Sequence, residues 1–190
     1  MVADASDSST VLAVTEKGRP TSTSELEDEV AALFDQFRMP VLRFILSFRI
    51  PVADAEELVQ EVFLKLFHHL RQGRPRVNLQ GWIFRVANNE ALKNRARGKR
   101  YSDRFIHIPG LSGVAADHDP GPEQAVATLQ RRERLLTLVA ALPEQDQHCL
   151  ALRAEGLRYR EISEVLGISL GSVAASLEKS LSRLARAEQV

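Results

Sequence analysis

LQGWIFRVANNEALKNRARGKR, residues 79–100, is the stretch that decides the fold. Successive side chains on a helix are about 100° apart, so residues three and four positions apart share a face. One face of this stretch is then apolar and consists of Ile83, Phe84, Ala87 and Ala91. The other side carries a polar and basic stripe made of Arg85, Asn89, Lys93, Arg97 and Arg100. The stretch therefore predicts a helix that buries one face and offers the other to a polyanion.

The positive charge of the chain is concentrated around this helix. Residues 71–104 hold ten Lys and Arg against two Asp and Glu, whereas the whole chain has 25 of each and is formally neutral. A neutral chain with one strongly positive segment indicates a local polyanion site rather than nonspecific binding over the whole surface.

The composition bounds the class of protein. With 44% hydrophobic and 26% charged residues, the 190-residue chain is typical of soluble globular proteins, as one domain or two small ones. No apolar run approaches the roughly 18 residues of a membrane span, and the N-terminus lacks a secretory signal. Cys149 is the single cysteine, so an internal disulfide is excluded and a reducing cytoplasm is expected. Strand signals are almost absent, which predicts an all-α fold.

Breaks in the helical pattern divide the chain. Residues 1–23 have no period and predict a disordered tail. Residues 24–100 predict an N-terminal helical domain, with helices at 24–48, 54–70 and 79–100 and a basic, turn-rich loop at 71–80. Residues 101–122, rich in Pro and Gly, predict a flexible linker. Residues 123–190 predict a C-terminal helical domain.

A helix-turn-helix is predicted near the C-terminus. Ile162, Val165 and Leu166 form the buried side of a short helix. The turn Gly167–Ser169 follows, with Ser169 as the N-cap of a longer helix whose leucines recur at helical spacing. A plain αα-hairpin is the alternative interpretation.

Three segments, in this order, resemble the signature segments of bacterial sigma factors of the sigma-70 family, specifically the small extracytoplasmic-function (ECF) type. They are DAEELVQEVFLKLFHHL (54–70), GWIFRVANNEALKNRAR (81–97) and LPEQDQHCLALRAEGLRYREISEVLGISLGSV (142–173). The resemblance implies two helical domains, a sigma region 2-like bundle at 24–100 and a region 4-like helix-turn-helix at 123–190, which bind core RNA polymerase and promoter DNA.

The resemblance implies that the 54–70 helix binds the clamp helices of the polymerase beta-prime subunit, while the C-terminal domain meets the beta flap. An acidic, partly apolar helix face suits a basic partner helix. The implied polymerase-binding residues are Glu57, Gln60, Glu61, Phe63 and Phe67.

The resemblance also implies that loop 71–80 and the helix after it read and melt the promoter −10 element. Holding a melted strand requires cations along the backbone and polar or flat side chains for unstacked bases. The implied residues are Arg74, Arg76, Asn78, Trp82, Arg85, Asn88, Asn89, Lys93, Arg95 and Arg97. Trp82 has a core position as its second interpretation.

For the −35 element the sequence departs from the family. Family members usually carry a Lys and an Arg where this chain has Ala174 and Ser176. Each phosphate contact that is lost lowers the salt dependence of binding by roughly one unit of slope, so weaker −35 binding is expected. The implied −35 residues are Arg158, Arg160, Ser169, Ser172, Ala175, Ser176 and Lys179.

The sequence indicates no catalytic residue, cofactor or metal. His68 and His69 are adjacent on one helix and cannot share a metal, so both are interpreted as ordinary helix-end residues. An enzyme would need converging carboxylates or a metal set, and the sequence contains no candidate.

Two rival functions remain compatible with the sequence. One is a helix-turn-helix regulator that does not join the polymerase, and the other is a degenerate sigma-like protein that binds polymerase without initiating. An anti-sigma factor is a further partner that the family implies.

Overall fold

The computed structural model of the protein describes residues 23–97 and 134–188, and these ranges contain helices and turns but no strand. The predicted all-α class is confirmed. The predicted tail (1–23), almost all of which precedes the described residues, and the linker (101–122) lie outside these ranges. The helices are α1 (Thr23–Leu46), α2 (Val52–Arg71), α3 (Leu79–Ala96), α4 (134–140), α5 (Glu144–Ala154), α6 (Tyr159–Leu166) and α7 (Leu170–Glu188).

The start of α3 depends on one asparagine and one glycine. Asn78 adopts a left-handed backbone conformation with φ of 53°, and its side-chain oxygen accepts a hydrogen bond from the Gly81 N–H at 3.0 Å. A Cβ atom on Gly81 would come within 2.6 Å of the Asn78 amide nitrogen. A larger residue at position 81 would therefore displace the Asn78 side chain that forms the cap, and the cap fixes the direction in which loop 72–78 enters α3.

Helices α1, α2 and α3 form a bundle around a large apolar core. Phe44, Leu66 and Phe84 are fully buried. The Phe44 and Phe84 rings meet edge to face with centroids 5.7 Å apart, a geometry that aromatic pairs prefer. This core holds the outer faces of α2 and α3, where the predicted site residues lie, in fixed positions.

The helix-turn-helix is present as predicted. Helix α6 ends at Gly167, whose φ of 68° lies in the left-handed region. The Ser169 hydroxyl accepts the Ser172 N–H at 3.0 Å and caps α7, which confirms the predicted N-cap. Ser163 ties the turn to α6, since its hydroxyl donates to the Ile168 carbonyl at 2.6 Å.

The two helical halves are packed against each other within the described ranges, which the sequence did not predict. Helix α3 packs on α6 and α1 packs on α5, so the buried apolar residues of both halves form one continuous cluster. The Arg43 guanidinium donates two hydrogen bonds to the Glu155 carboxylate, both at 2.8 Å. Gln80 donates to the Glu155 backbone carbonyl at 2.9 Å.

His148 lies at this contact between the halves. Its ring stacks on Phe48 with centroids 3.9 Å apart, and its Nε2 is buried without a hydrogen-bond partner. Burial, followed by the positive charge of Arg95, lowers the pKa of His148 to about 4, although Glu144 acts in the opposite direction. His148 is therefore neutral at pH 7, and protonating it opposes this packing.

Of the helices that the structure describes, none combines the length and the apolar character needed to cross a bilayer.

Candidate polymerase and nucleic-acid interfaces

The outer face of α2 is acidic with one apolar side chain at its centre. Glu57, Gln60 and Glu61 are exposed, and Leu64 on the same face leaves 56% of its surface exposed. Large side chains that are exposed in this way, with a polar rim, are typical of a partner-binding face. Leu64 was missed as a site residue, although its spacing from Glu57 and Glu61 placed it on their face.

The two phenylalanines predicted to bind polymerase are placed differently. Phe63 is only 5% exposed and packs edge to face on Phe34, with centroids 4.9 Å apart. Phe67 is half-buried and has the Arg71 guanidinium 6.0 Å from its ring centroid. Phe63 belongs to the core, because the apolar side of α2 is broad enough for neighbouring positions to face inward.

A polar cleft of about 470 Å³ separates the outer faces of α2 and α3. At its floor the buried Glu90 binds Lys65 at 2.8 Å and Lys93 at 2.9 Å. Burial raises the pKa of Glu90, but the hydrogen bonds from these two lysines outweigh it and hold the pKa below its ordinary value. Burial likewise lowers the pKa of Lys65, and its bonds to Glu90 and Glu61 outweigh that and raise it. Glu90 and Lys65 are therefore both charged at neutral pH, and Lys93 is engaged in an ion pair with Glu90.

Loop 72–78, between α2 and α3, uses part of its predicted DNA-binding set for its own structure. Arg76 makes a two-pronged ion pair with Glu29 of α1, at 3.0 and 3.1 Å. Asn78 uses its side-chain oxygen to cap α3. Arg74 is exposed, and among the described residues its guanidinium donates only to the neutral Gln72 side chain, at 3.1 Å. Arg74 is thus the cation of this loop that remains available to a ligand.

The outer face of α3 holds the open part of the basic stripe. Arg85, Asn89 and Arg97 are exposed, and none of them has an ion pair with another described residue. Asn88 is only 6% exposed and lies on the opposite, buried side. Arg95 points toward the other half of the protein and pairs with Glu144. The face that can bind a polyanion is therefore narrower than the sequence indicated.

Trp82 lies at the edge of this face, half-buried against the core. One side of its indole packs on the His69 ring, with centroids 4.5 Å apart and a tilt of 38°. Trp82 thus packs against the core, as its second interpretation held, and its ring contact with His69 places it beside loop 72–78.

The predicted −35 residues are divided between surface and interior. Arg158, Arg160, Ser169, Ala175 and Lys179 are exposed and Ser172 is half-buried. Ser176 is 6% exposed and accepts a hydrogen bond from Gln145 at 3.2 Å, so it faces α5 rather than solvent. It lies beside Cys149, whose thiol pKa is raised by burial and lowered in part by Ser176. Position 176 is therefore a packing position in this chain.

No group of three or more His, Cys, Asp or Glu side chains placed to bind a metal occurs in residues 23–97 and 134–188.

Comparison with known families assigns both halves. Residues 33–101 match the family described as Sigma-70 region 2, and residues 132–184 match Sigma-70, region 4. The two matches together span more than half of the chain and have the order that the motifs predicted.

Individual relatives agree with these matches. The chain is 26% identical to the RNA polymerase sigma factor YlaC of Bacillus subtilis, over 80% of this chain and 88% of that protein. It is 27% identical to the sigma factor CnrH of Cupriavidus metallidurans, over 73% of this chain and 75% of that one. The fold resembles the sigma factor RpoE of Bartonella quintana, solved with the anti-sigma factor NepR. That likeness has a TM-score of 0.57 and 22% identity, and it covers 88% of this chain and 98% of that one.

A two-part helical protein with these matches is a transcription factor of the sigma class. The chain belongs to the sigma-70 family, within its ECF group.

Proposed function

We propose that this protein binds core RNA polymerase in the cytoplasm and directs it to a particular set of promoters. The observation that carries the proposal is the pairing of two different surfaces on one half: an acidic face with an exposed leucine on α2, and an open basic face on α3. The chain supplies binding energy for promoter recognition and melting, and the polymerase supplies the chemistry.

The α2 face suits a basic partner helix. Leu64 provides apolar area to bury, and Glu57, Gln60 and Glu61 surround it with groups that accept hydrogen bonds. Burying the exposed half of a leucine contributes about 1 kcal/mol, and the carboxylates add specificity and association rate rather than much affinity. The beta-prime clamp helices are the partner that we assign to this face.

The α3 face suits a single strand. Arg85 and Arg97 can follow phosphates, and Asn89 between them has the donor and acceptor that a base edge needs. Arg74 extends the cationic path onto loop 72–78. Trp82 offers an aromatic edge at the junction of loop and helix, where a base can stack.

Recognition of the −35 element by α7 is proposed to be weak in this chain. Ala174 and the buried Ser176 supply no charge at the two positions where the family resemblance implies cations. The remaining cations on the outer surface of the helix-turn-helix, within the described residues, are Arg158, Arg160, Lys179, Arg183 and Arg186. Arg160 is partly neutralised by Glu164, 3.6 Å away. Affinity for promoters should then depend mainly on the −10 contacts, and contact of this half with the beta flap should matter more than its DNA contacts.

The test is transcription in vitro with purified chain and core polymerase on genomic DNA, followed by mapping of transcript starts. Starts that share a two-part promoter are expected, with a strong −10 and a weak −35 consensus. Polymerase binding without starts would favour the degenerate, non-initiating function that Ala174 and Ser176 keep open. Absence of polymerase binding would refute the proposal and leave a free-standing helix-turn-helix regulator.

An anti-sigma protein is proposed as a second partner. The RpoE structure of Bartonella quintana contains the anti-sigma factor NepR, and the exposed α2 face of this chain offers a surface for an inhibitor to cover. A protein that co-purifies with the chain from resting cells and blocks its transcription in vitro is expected. Recovery of a fully active chain, without any inhibitor, would contradict this part of the proposal.

A further inference from the structure

His69 connects three parts of the surface proposed to read the −10 element. It lies in the last turn of α2, and its Nε2 is 3.1 Å from the Pro75 carbonyl oxygen in loop 72–78. Since a carbonyl only accepts hydrogen bonds, Nε2 carries the proton and donates. The other side of the ring packs on the Trp82 indole, and the His69 carbonyl accepts the Arg74 N–H at 3.3 Å.

These contacts restrain the middle of the loop. Its start is held by backbone hydrogen bonds to the end of α2, and its last residues are held by the ion pair of Arg76 with Glu29 and by the Asn78 cap of α3. Pro75 has no N–H of its own, so its carbonyl is the group through which it can be tied to α2. The hydrogen bond from His69 to Pro75 therefore fixes the distance between loop 72–78 and α2. The packing of the same ring fixes the position of the Trp82 indole.

We propose that His69 is a positioning residue for promoter reading, which sets the placement of loop 72–78 relative to Trp82 and thereby the base preference at the −10 element. This inference rests on the proposed function. Base readout requires side chains held within about 0.5 Å of their productive positions, whereas phosphate contacts tolerate more movement. Loss of His69 should therefore reduce discrimination between bases more than it reduces overall DNA binding.

The adjacent histidine provides a matched control. His68 is exposed, and its ring contact is with Phe67 on its own helix, at 5.9 Å between centroids. His68 and His69 have the same chemistry and sit in the same helical turn. Of the two histidine side chains, only that of His69 contacts loop 72–78 and Trp82 within the described residues.

The experiment uses the full chain with core polymerase and a promoter set in which each −10 base is varied. His69→Ala is expected to lower the preference for the best base over the others by about 3- to 10-fold, with His68→Ala unchanged from wild type. His69→Gln, which keeps a donor toward Pro75, should recover part of the preference. His69→Phe, which keeps only the ring contact with Trp82, separates the two contributions.

A second measurement does not depend on initiation. Trp82 is the only tryptophan of the chain, so its fluorescence reports on binding of single strands of about eight nucleotides of dA, dC or dT. His69→Ala should bring the three affinities closer together, while His68→Ala preserves their ratios. If wild-type holoenzyme gives no starts, the proposed function fails and this titration still decides the role of His69.

Two results would overturn the inference. One is an unchanged base preference in His69→Ala in both assays. The other is a uniform loss over all promoter variants that follows a lower urea midpoint, which would show that His69 only stabilises the fold.

Discussion

The ion pair between Arg43 and Glu155 should contribute measurably to the contact between the two halves. Its two hydrogen bonds are both 2.8 Å long, and the side chains are only 27% and 14% exposed. Hydrogen bonds to charged groups contribute about 1.5–3 kcal/mol, whereas exposed pairs contribute roughly 0.2–1 kcal/mol. Since this pair is mostly but not fully buried, we expect a coupling energy of about 2 kcal/mol between the two residues.

A double-mutant cycle measures this coupling directly. Arg43→Met, Glu155→Gln and the double variant would be unfolded in urea at neutral pH, and the coupling taken from their midpoints. Each single variant should lose more than half of what the double variant loses, because the partner left behind is a mostly buried, unpaired group.

The exposed pair Arg160 and Glu164 serves as the matched control. Its atoms are 3.6 Å apart and its side chains are 88% and 56% exposed, so the same cycle there should give about 0.3–0.5 kcal/mol. If the coupling between Arg43 and Glu155 is no larger than that of the control pair, the idea that this bridge helps to hold the halves together is refuted.

Three further predictions concern charge and exposure. The pKa of His148 is about 4 in the folded protein and 6.5 in the reference state, so the free energy of unfolding is highest above pH 6.5 and falls as the pH is lowered toward 4. Between pH 7 and 5 the free energy of unfolding, measured in urea, should fall by about 2 kcal/mol. The non-titrating variant His148→Gln should lose correspondingly less over the same range. Leu64→Asp should weaken polymerase binding at least about 10-fold in a binding titration while the thermal midpoint stays unchanged, and Leu92→Asp, with a similarly exposed leucine on α3 (49% against 56%), should bind polymerase as wild type. Arg85→Ala should lower the salt slope of single-strand binding by about 0.7. Arg76→Ala should leave that slope unchanged and lower the urea midpoint, since Arg76 is paired with Glu29. Equal slopes for the wild type and both variants would contradict the assignment of Arg85 to a phosphate.

The sequence predicted the elements of the fold well because those signals are local. The apolar period of 79–100, the Pro51 break and the turn at Gly167 each depend on neighbours a few residues away. The Ser169 cap, which spans three residues, was predicted for the same reason.

The contact between the halves could not be predicted in this way. Arg43 and Glu155 are 112 positions apart, and nothing in either local sequence specifies the other as its partner. The stacking of Phe48 on His148 could not be predicted for the same reason, because these two residues are also far apart in the sequence. The helices that bring these residues together are predictable, but the pairing of their faces depends on the shape of the whole core.

The choice between neighbouring positions on a helix was the second limit. The family resemblance placed Phe63 among the polymerase-binding residues, and the structure buries Phe63 and exposes Leu64. Ser176 was likewise placed on the outer side of α7 and lies against α5. A step of about 100° leaves residues at the border of a face ambiguous, and only the packing of the neighbouring helix decides them.

The charge of the basic segment shows the same limit most clearly, and it changes what the segment can do. Arg76, Lys93 and Arg95 were counted as available cations, yet each is paired with a carboxylate, of Glu29, Glu90 and Glu144 respectively. A count of residues 71–104 includes one of these carboxylates and misses the two that reach the segment from α1 and α5. Within the described residues, the cations left open on this surface are Arg71, Arg74, Arg85 and Arg97, with Arg71 turned toward the Phe67 ring. These described cations cannot hold a strand by electrostatics alone at physiological salt, because each phosphate contact adds only about 0.7 to the slope on single strands. The contribution of the described residues to strand binding must then depend on base contacts by Asn89 and Trp82, and hence on the placement of loop 72–78. For this reason we expect discrimination between bases, rather than general affinity for DNA, to be the property most sensitive to mutation on this face.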